Sequence, residues 1–124
     1  MRNMSFFLTT QQFLDYCKDL TRRLGWGFLK PGEHFMAIER GQGLKFGEHV
    51  RRLGECICVS NEPEPLLAIC RLPIRGLRSE CGREGFPEMA PKEFVEMFCE
   101  ANSKGKKKCY PDTIINRIEF RRID

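Results

Sequence analysis

The amino-acid sequence predicts an α+β fold in which short strands accompany two main helices. The length of 124 residues fits one domain, residues 1–124, built around a single hydrophobic core. The hydrophobic fraction of 41% and the charged fraction of 31% are typical of a globular protein in water. Segments with helical and with strand periodicity alternate between Pro and Gly turns, so the expected order is strand, helix, several strands, helix, strand.

The first predicted elements are a strand over residues 5–9 and a helix that begins directly after it. Thr9 and Gln12 have the spacing of a capping box, in which each side chain bonds to the backbone of the other residue. Apolar residues then recur at helical spacing, which predicts a helix that ends near residues 18–23, before two glycines. Lys18 and Thr21 are three residues apart and would share one face of this helix.

The middle of the chain is predicted to form strands. Residues 34–39, 55–60 and 66–72 are rich in apolar and β-branched side chains, and Pro and Gly turns bound them. Residues 76–87 show no clear periodicity and are expected to be irregular.

A second helix is predicted to begin at Pro91 and to end near Asn102. Proline is favoured at the first helical position, and Phe94, Phe98 and Ala101 recur three to four residues apart as a buried stripe.

The last predicted element is a strand over residues 113–123. Ile118 and Phe120 would face one side of it, because side chains alternate along a strand. The charged residues between and beside them would face the other side: Arg117, Glu119 and Arg121.

The cysteine content favours a reducing compartment. Seven cysteines are an odd number, and they fall in predicted elements rather than at loop positions where disulfides are needed. Cys56 and Cys58 would share one strand face, but the chain has no CxxC-like pair, and neither His34 nor His49 has a partner at ligand spacing. We therefore expect no metal and no cofactor.

The sequence predicts neither a membrane span nor a signal peptide. No apolar run approaches the roughly twenty residues that cross a bilayer. The first residues lack a long apolar segment and a small-residue cleavage site. We expect a cytoplasmic protein without membrane contact, and we favour a monomer.

The basic residues are clustered, although the net charge is only +4. Clusters of this kind suit a polyanionic partner, because each neutralised phosphate releases counterions. For the lysine tract alone, a role in solubility is the better interpretation. The clusters are Arg71, Arg75, Arg78 and Arg83, then Lys104 with residues 106–108, and finally Arg117, Arg121 and Arg122.

The richest chemistry lies in residues 16–26, which combine an amine, a hydroxyl, two guanidinium groups and the only tryptophan of the chain. The amine is Lys18 and the hydroxyl is Thr21, followed at once by Arg22 and Arg23. Such a cluster is either a phosphate-binding site or an activated nucleophile.

Several segments resemble the ASCH domain family over nearly the whole chain. They are residues 16–23, Lys30-Pro31-Gly32, Glu84-Gly85-Phe86-Pro87 before a Pro-initiated helix, and the closing segment 116–120. The family signature is G-x-K-x-x-E-x-R. Lys18 and Arg23 match its lysine and arginine, whereas Tyr16 replaces the glycine and Thr21 replaces the glutamate.

The resemblance implies a small PUA-like β-barrel of mixed strands, with the two main helices covering its openings. Small bacterial acetylcytidine amidohydrolases of this family carry a threonine at the position of Thr21. Their catalytic residues align with Lys18, Thr21 and Glu84, and Glu80 is an alternative for the acidic position. A tyrosine at the glycine position, Tyr16, would either fill the cleft or stack on a base.

The predicted function is binding of RNA or a modified nucleoside in a cleft at the barrel mouth. Tyr16 and Trp26 would stack on bases, as would Phe28. The phosphate contacts would come from four arginines: Arg22, Arg23, Arg51 and Arg52.

Three alternatives remain open at this point. Thr21, activated by a partly neutral Lys18, could remove the acyl group from acetylcytidine-type nucleosides, with Glu84 handling protons. A ribonuclease could use the same cleft. The third is a scaffold without a ligand, in which Lys18 and Arg23 neutralise backbone carbonyls at a helix end and Glu84 pairs with one of them.

We predict that Ala90→Thr raises the free energy of unfolding by about 1 kcal/mol. Ala90 occupies the cap position of the second helix, and its side chain has no oxygen to accept a hydrogen bond from the first turn. Thermal unfolding of the variant beside the parent protein measures the effect. An unchanged or lower melting temperature would contradict the predicted helix start.

Overall fold

The computed structural model describes residues 1–123, which contain seven strands and four α-helices. A short 3-10 turn, Phe7–Thr9, precedes the first helix. In chain order the elements are β1 (Arg2–Ser5), α1 (Thr10–Leu14), β2 (Leu20–Arg23), β3 (His34–Ile38), β4 (Arg52–Pro65), α2 (Ala68–Arg71), β5 (Ile74–Arg75), β6 (Arg78–Ser79), α3 (Glu80–Arg83), α4 (Pro91–Ala101) and β7 (Ile114–Ile123).

Five strands form one curled sheet in the order β1-β3-β4-β7-β2. β1 pairs with β3 in parallel, and the other neighbouring strands are antiparallel. Register shifts near Ala37 in β3 and after Cys58 in β4 mark two irregularities in the ladder. Bulges of this kind bend a strand and increase its twist, which favours a curled sheet.

The α+β class is therefore confirmed, and the sheet has a half-barrel shape. The family resemblance implied a barrel, whereas here β1 and β2 are the two edge strands of the five-stranded sheet. The candidate site lies in the gap between these two edge strands.

The prediction that the first helix ends near residues 18–23 is wrong, and residues 20–23 form β2 instead. The helix ends at Leu14, because Tyr16 has a φ of 60° and Cys17 donates its backbone N–H to the Gln12 carbonyl at 2.8 Å. This is the left-handed turn that commonly closes a helix, formed here without glycine. The capping box is also absent, since the Thr9 side chain makes no capping bond.

The first strand and the central strand also differ from the sequence prediction. The strand predicted over residues 5–9 lies at Arg2–Ser5, and residues 7–9 form the 3-10 turn. The strand predicted over residues 55–60 extends from Arg52 to Pro65 as β4.

Two more segments have a different structure from the predicted one. Residues 66–72, predicted as a strand, contain helix α2, since a short apolar run fits either structure. Residues 76–87, predicted as irregular, contain β6 and α3, and the Ser79 hydroxyl accepts a bond from Gly82 N at 3.1 Å as the cap of α3.

The predictions for α4 and β7 are confirmed to within two residues. Phe94 and Phe98 of the predicted stripe are buried, but Ala101 is exposed. Ile118 and Phe120 face one apolar cluster, as expected from strand alternation.

The interior contains two apolar clusters, so the expectation of one continuous core is wrong. The first lies against β1, β3 and the second half of β7, and the second lies around α4. β7 reaches both, because Ile115 faces the α4 cluster and Ile118, an odd number of residues further on, faces the other one.

A group of buried ionic side chains accompanies the α4 cluster. Glu80 has no exposed surface, and its carboxylate accepts bonds from Arg22 at 2.7 Å and from Arg117 at 2.7 and 2.9 Å. Burial opposes ionisation of Glu80, but hydrogen bonds from Arg117 and Arg22 outweigh it and lower the pKa of this carboxyl group. Glu80 is therefore an ionised carboxylate inside the protein.

We predict that Glu80→Gln lowers the free energy of unfolding by roughly 3 to 5 kcal/mol, because it leaves Arg22 and Arg117 buried with less countercharge. Denaturant unfolding measures the loss. The matched control is Glu100→Gln, which changes an exposed glutamate of α4 and should have almost no effect. Equal stability of the two variants would contradict a structural role for the Glu80 ion pairs.

Candidate ligand-binding site

A cleft of about 520 Å³ opens between the two edge strands of the sheet. Ser5 and Phe6, at the end of β1, form one side, and Thr21 and Arg23 of β2 lie across from them. Aromatic side chains from α4 and from the segment before it complete the lining: Phe86, Phe94 and Phe98.

Lys18 and Glu84 meet inside this cleft. The Lys18 amine donates to the Glu84 backbone carbonyl at 2.7 Å and to its carboxylate at 3.1 Å. The other carboxylate oxygen of Glu84 accepts from Arg22 at 3.1 Å. Both Lys18 and Glu84 are buried, so the pair is a fixed part of the cleft wall.

The backbone next to Glu84 explains how the carboxylate is placed. Gly85 has a φ of +103°, and a Cβ atom there would lie 3.0 Å from the Cβ of Gln12 in α1. Only glycine combines this backbone conformation with so close an approach. The segment after α3 therefore packs against α1, which brings Glu84 to Lys18.

Burial lowers the pKa of the Lys18 amine, and the nearby Arg23 and Arg22 lower it further. The Glu84 carboxylate opposes this shift without cancelling it. The sequence argument attributed the lowered pKa to the arginines, whereas burial is the largest cause. A lysine of this kind releases its proton more readily than an exposed one.

Thr21 and Arg23 lie on the same face of β2 because they are two residues apart in a strand. The Thr21 hydroxyl oxygen accepts a hydrogen bond from Arg23 Nε at 2.9 Å, and the Arg23 guanidinium lies 4.9 Å from the centroid of the Phe6 ring. Burial lowers the pKa of Arg23 to about 10, so the guanidinium remains charged at neutral pH. Its bond to Thr21 leaves the hydroxyl proton of Thr21 available for another acceptor.

The structure distinguishes the two candidate acidic residues by position. Glu84 lines the cleft and contacts Lys18, whereas Glu80 is fully enclosed and holds Arg22 and Arg117. Arg22, predicted to bind phosphate, lines the cleft but already bridges the two glutamates.

Tyr16 lies outside the cleft, so it neither fills it nor forms its stacking surface. It lines another cavity beside β7, which shares Lys18 with the cleft lining, and the Arg122 guanidinium lies 4.1 Å from its ring centroid. The sequence argument attributed the family's glycine here to close approach of a ligand. The φ of 60° offers a different reason, because this left-handed conformation favours glycine.

Four other predicted binding residues also lie away from the cleft lining: Trp26, Phe28, Arg51 and Arg52. Trp26 packs against the first apolar cluster and lines another cavity beside Phe28. Arg51 is exposed and pairs with Glu39 at 2.8 Å, and Arg52 is exposed as well.

Sequence reasoning missed several residues that line the cleft. Phe86, Phe94 and Phe98 supply its aromatic wall, although two of them were recognised as a helical stripe. Gln42 and Lys104 stand at its rim, on loops that no periodicity connects to the site.

Residues 1–123 contain no group of three histidine, cysteine or acidic side chains that could hold a metal ion. No helix in this described part of the chain combines the length and the apolar character that crossing a bilayer requires.

Comparison with known proteins gives a fold relationship. No protein-family model and no curated protein sequence matches the chain. The crystal structure of protein EF3133 from Enterococcus faecalis V583, described as a DUF984 protein, is similar with a TM-score of 0.62 and 17% identity. The match covers 94% of this chain and 71% of that one. At this identity the likeness shows the fold alone.

The lowered pKa of Lys18 predicts a pH-dependent stability. Between the pKa of the folded protein and the ordinary value of 10.5, the unfolded chain holds more protons, so the free energy of unfolding rises with pH across this window. Lys18→Met lacks this contribution. Denaturant unfolding of both proteins, from neutral pH to pH 10.5, should show the parent gaining stability relative to the variant. If the difference in unfolding free energy between the parent and Lys18→Met stays constant over this pH window, the lowered pKa of Lys18 is contradicted.

Proposed function

We propose that the cleft binds a nucleoside, either free or within RNA. The observation that supports this proposal is the combination of four basic side chains, one carboxylate and several aromatic rings in a single cleft of about 520 Å³. Small-molecule sites commonly measure about 300 to 1,000 Å³ and join an apolar wall to a few polar groups.

The charges of the lining favour an acceptor-rich ligand. The basic side chains are Lys18, Arg22, Arg23 and Lys104, and the carboxylate is Glu84. Base carbonyls, ring nitrogens and phosphates accept hydrogen bonds from such groups. Arg22 already donates to both glutamates, so the donors for a ligand are Lys18, Arg23 and Lys104. Phe86, which is half-buried, offers a ring face on which a base can stack.

We also infer that the chain is an ASCH-type domain. Lys18 and Arg23, which match the family signature, both line the cleft. Glu84, which the resemblance assigns to the acidic position, contacts Lys18 directly. These contacts join segments that are distant in sequence, and the resemblance alone did not provide them.

Hydrolysis of an acylated cytidine is the second candidate, favoured by the environment of Thr21. A neutral Lys18 amine would take the hydroxyl proton, and the Thr21 oxygen would attack the acyl carbon. The carbon–nitrogen bond would then break, the amine would leave with that proton, and water would hydrolyse the threonine ester to release the acid. Arg23, bonded to the Thr21 oxygen, would favour negative charge on it.

Isothermal titration calorimetry tests the binding proposal. The protein is titrated with each of the four ribonucleosides and with N4-acetylcytidine. We expect Lys18→Met and Arg23→Gln to weaken binding roughly tenfold or more, because each removes a charged hydrogen-bond donor. Arg51→Gln and Arg52→Gln change arginines outside the cleft and serve as matched controls. Equal weakening by all four variants, or no binding by the parent, would overturn the proposal.

Incubation with N4-acetylcytidine separates binding from catalysis. If the protein is an amidohydrolase, the parent releases cytidine and acetate. Thr21→Val and Lys18→Met should both lose this activity. Binding without turnover leaves the cleft as a recognition site. End-labelled RNA in the same assay reports the ribonuclease alternative as shortened fragments.

A further inference from the structure

We propose that the ligand is a nucleotide within single-stranded RNA, and that a second cavity beside the cleft holds the neighbouring nucleotide. This inference rests on the proposed function and specifies its substrate class. A free nucleoside would occupy the cleft alone.

The second cavity has a volume of about 640 Å³ and is continuous with the cleft in its lining. The two share four residues: Ser5, Phe7, Gln42 and Lys104. The second cavity extends from this common boundary along the end of β3 towards Arg40 and Val50. Two cavities with a common wall suit a ligand made of repeating units.

Lys104 stands at the boundary between the cavities, and the backbone holds it there. Lys104 and Lys107 exchange two backbone hydrogen bonds of 3.0 Å, and Gly105 between them has a φ of 58°. The Ser103 hydroxyl accepts the Cys109 backbone N–H at 2.9 Å and fixes the base of this turn. The lysine tract is therefore an ordered hairpin at the rim of the cleft.

The phosphate between two neighbouring nucleotides would lie at this boundary, next to the Lys104 amine. Three more lysines follow at residues 106–108, so a strand that leaves the cleft here meets further positive charge. The sequence alone favoured a role in solubility for this tract. Its location at the rim of two cavities favours phosphate binding.

Phe7 supplies an aromatic surface at the same boundary. Its side chain is 60% exposed, although the turn that carries it is anchored by a 2.8 Å bond from Phe6 N to the Ile38 carbonyl. The Arg40 guanidinium lies 6.0 Å from the Phe7 ring centroid. Phe7 thus lies beside one guanidinium, and Lys104 lines the same two cavities. An exposed ring near cations is the arrangement that binds single-stranded nucleic acids by base stacking and phosphate contact.

The same features argue against the other polyanions. An acidic peptide would use the cations but has no base to stack on Phe7, and a membrane surface needs a broad basic face rather than two adjoining cavities. Arg40 is also paired with Glu48 at 3.4 Å, so its charge is partly neutralised at this end of the second cavity. A single-stranded nucleic acid is therefore the partner that uses the ring, the cations and the cavities together, and the proposed function makes RNA the one to test.

The experiment compares ligands of increasing length. The probes are the tightest-binding nucleoside, dinucleotides that extend it on the 5′ or the 3′ side, and a tetranucleotide. We expect a dinucleotide of one polarity to bind at least roughly tenfold more tightly than the nucleoside, because a stacked base and a phosphate contact are added. Equal affinities for nucleoside and dinucleotides would overturn this inference and leave nucleoside binding intact.

Two variants identify the residues that supply the additional affinity for the dinucleotide. Phe7→Ala should weaken dinucleotide binding about five- to a hundredfold, the usual range for loss of a stacking ring. Lys104→Ala should reduce the slope of log affinity against log salt by about 0.7, the loss of one phosphate contact on a single strand. Because both residues line the cleft as well as the second cavity, the comparison is the ratio of the two affinities: dinucleotide affinity should fall more than nucleoside affinity in each variant.

Matched controls are Tyr110→Ala, which removes an equally exposed ring, and Lys92→Ala, which removes an exposed lysine of α4. Both residues lie outside the linings of the two cavities. Effects of the controls equal to those of Phe7→Ala and Lys104→Ala would overturn the inference. So would displacement of the dinucleotide by a poly-glutamate peptide or an anionic lipid vesicle at equal charge. Failure to bind any nucleoside or RNA removes the proposed function itself.

Discussion

The constraint on which this structure depends is the enclosed carboxylate of Glu80. A buried charge is tolerated only with strong partners, and Arg22 and Arg117 provide them from two neighbouring strands. The α3 segment is thereby tied to β2 and β7, beside the point where β7 passes from one apolar cluster to the other. Apolar packing alone would not fix the relative positions of these three elements so narrowly.

The same ion pairs explain why the cleft has a defined geometry. Arg22 donates to both Glu80 and Glu84, so the interior carboxylate indirectly orients the one in the cleft. Glu84 accepts a hydrogen bond from the Lys18 amine, and Lys18 lines the cleft together with Thr21 and Arg23. A ligand would meet donors that are already in place, which reduces the entropy lost on binding.

Local signals predicted α4 and β7, whereas tertiary contacts decided the elements around the site. Pro91 and a regular aromatic stripe mark α4, and strict alternation around Ile118 marks β7. The end of α1 could not be predicted because Tyr16, not glycine, adopts the left-handed conformation. β2 was missed because its strand structure comes from pairing with β7, which no local pattern reveals. Lys18 was identified from the chemistry of residues 16–26 and Glu84 through the family resemblance, but their contact spans 66 residues and required the structure.

The position of β2 at the edge of the sheet has a consequence for the order of folding. Within residues 1–123 its ladder partner is β7, so Thr21, Arg22 and Arg23 join the sheet after a loop of about ninety residues has closed. Pairings this distant in sequence form slowly and late in comparison with local turns. The cleft is therefore expected to be among the last features to appear during refolding. Ligand binding would then report completion of the native topology.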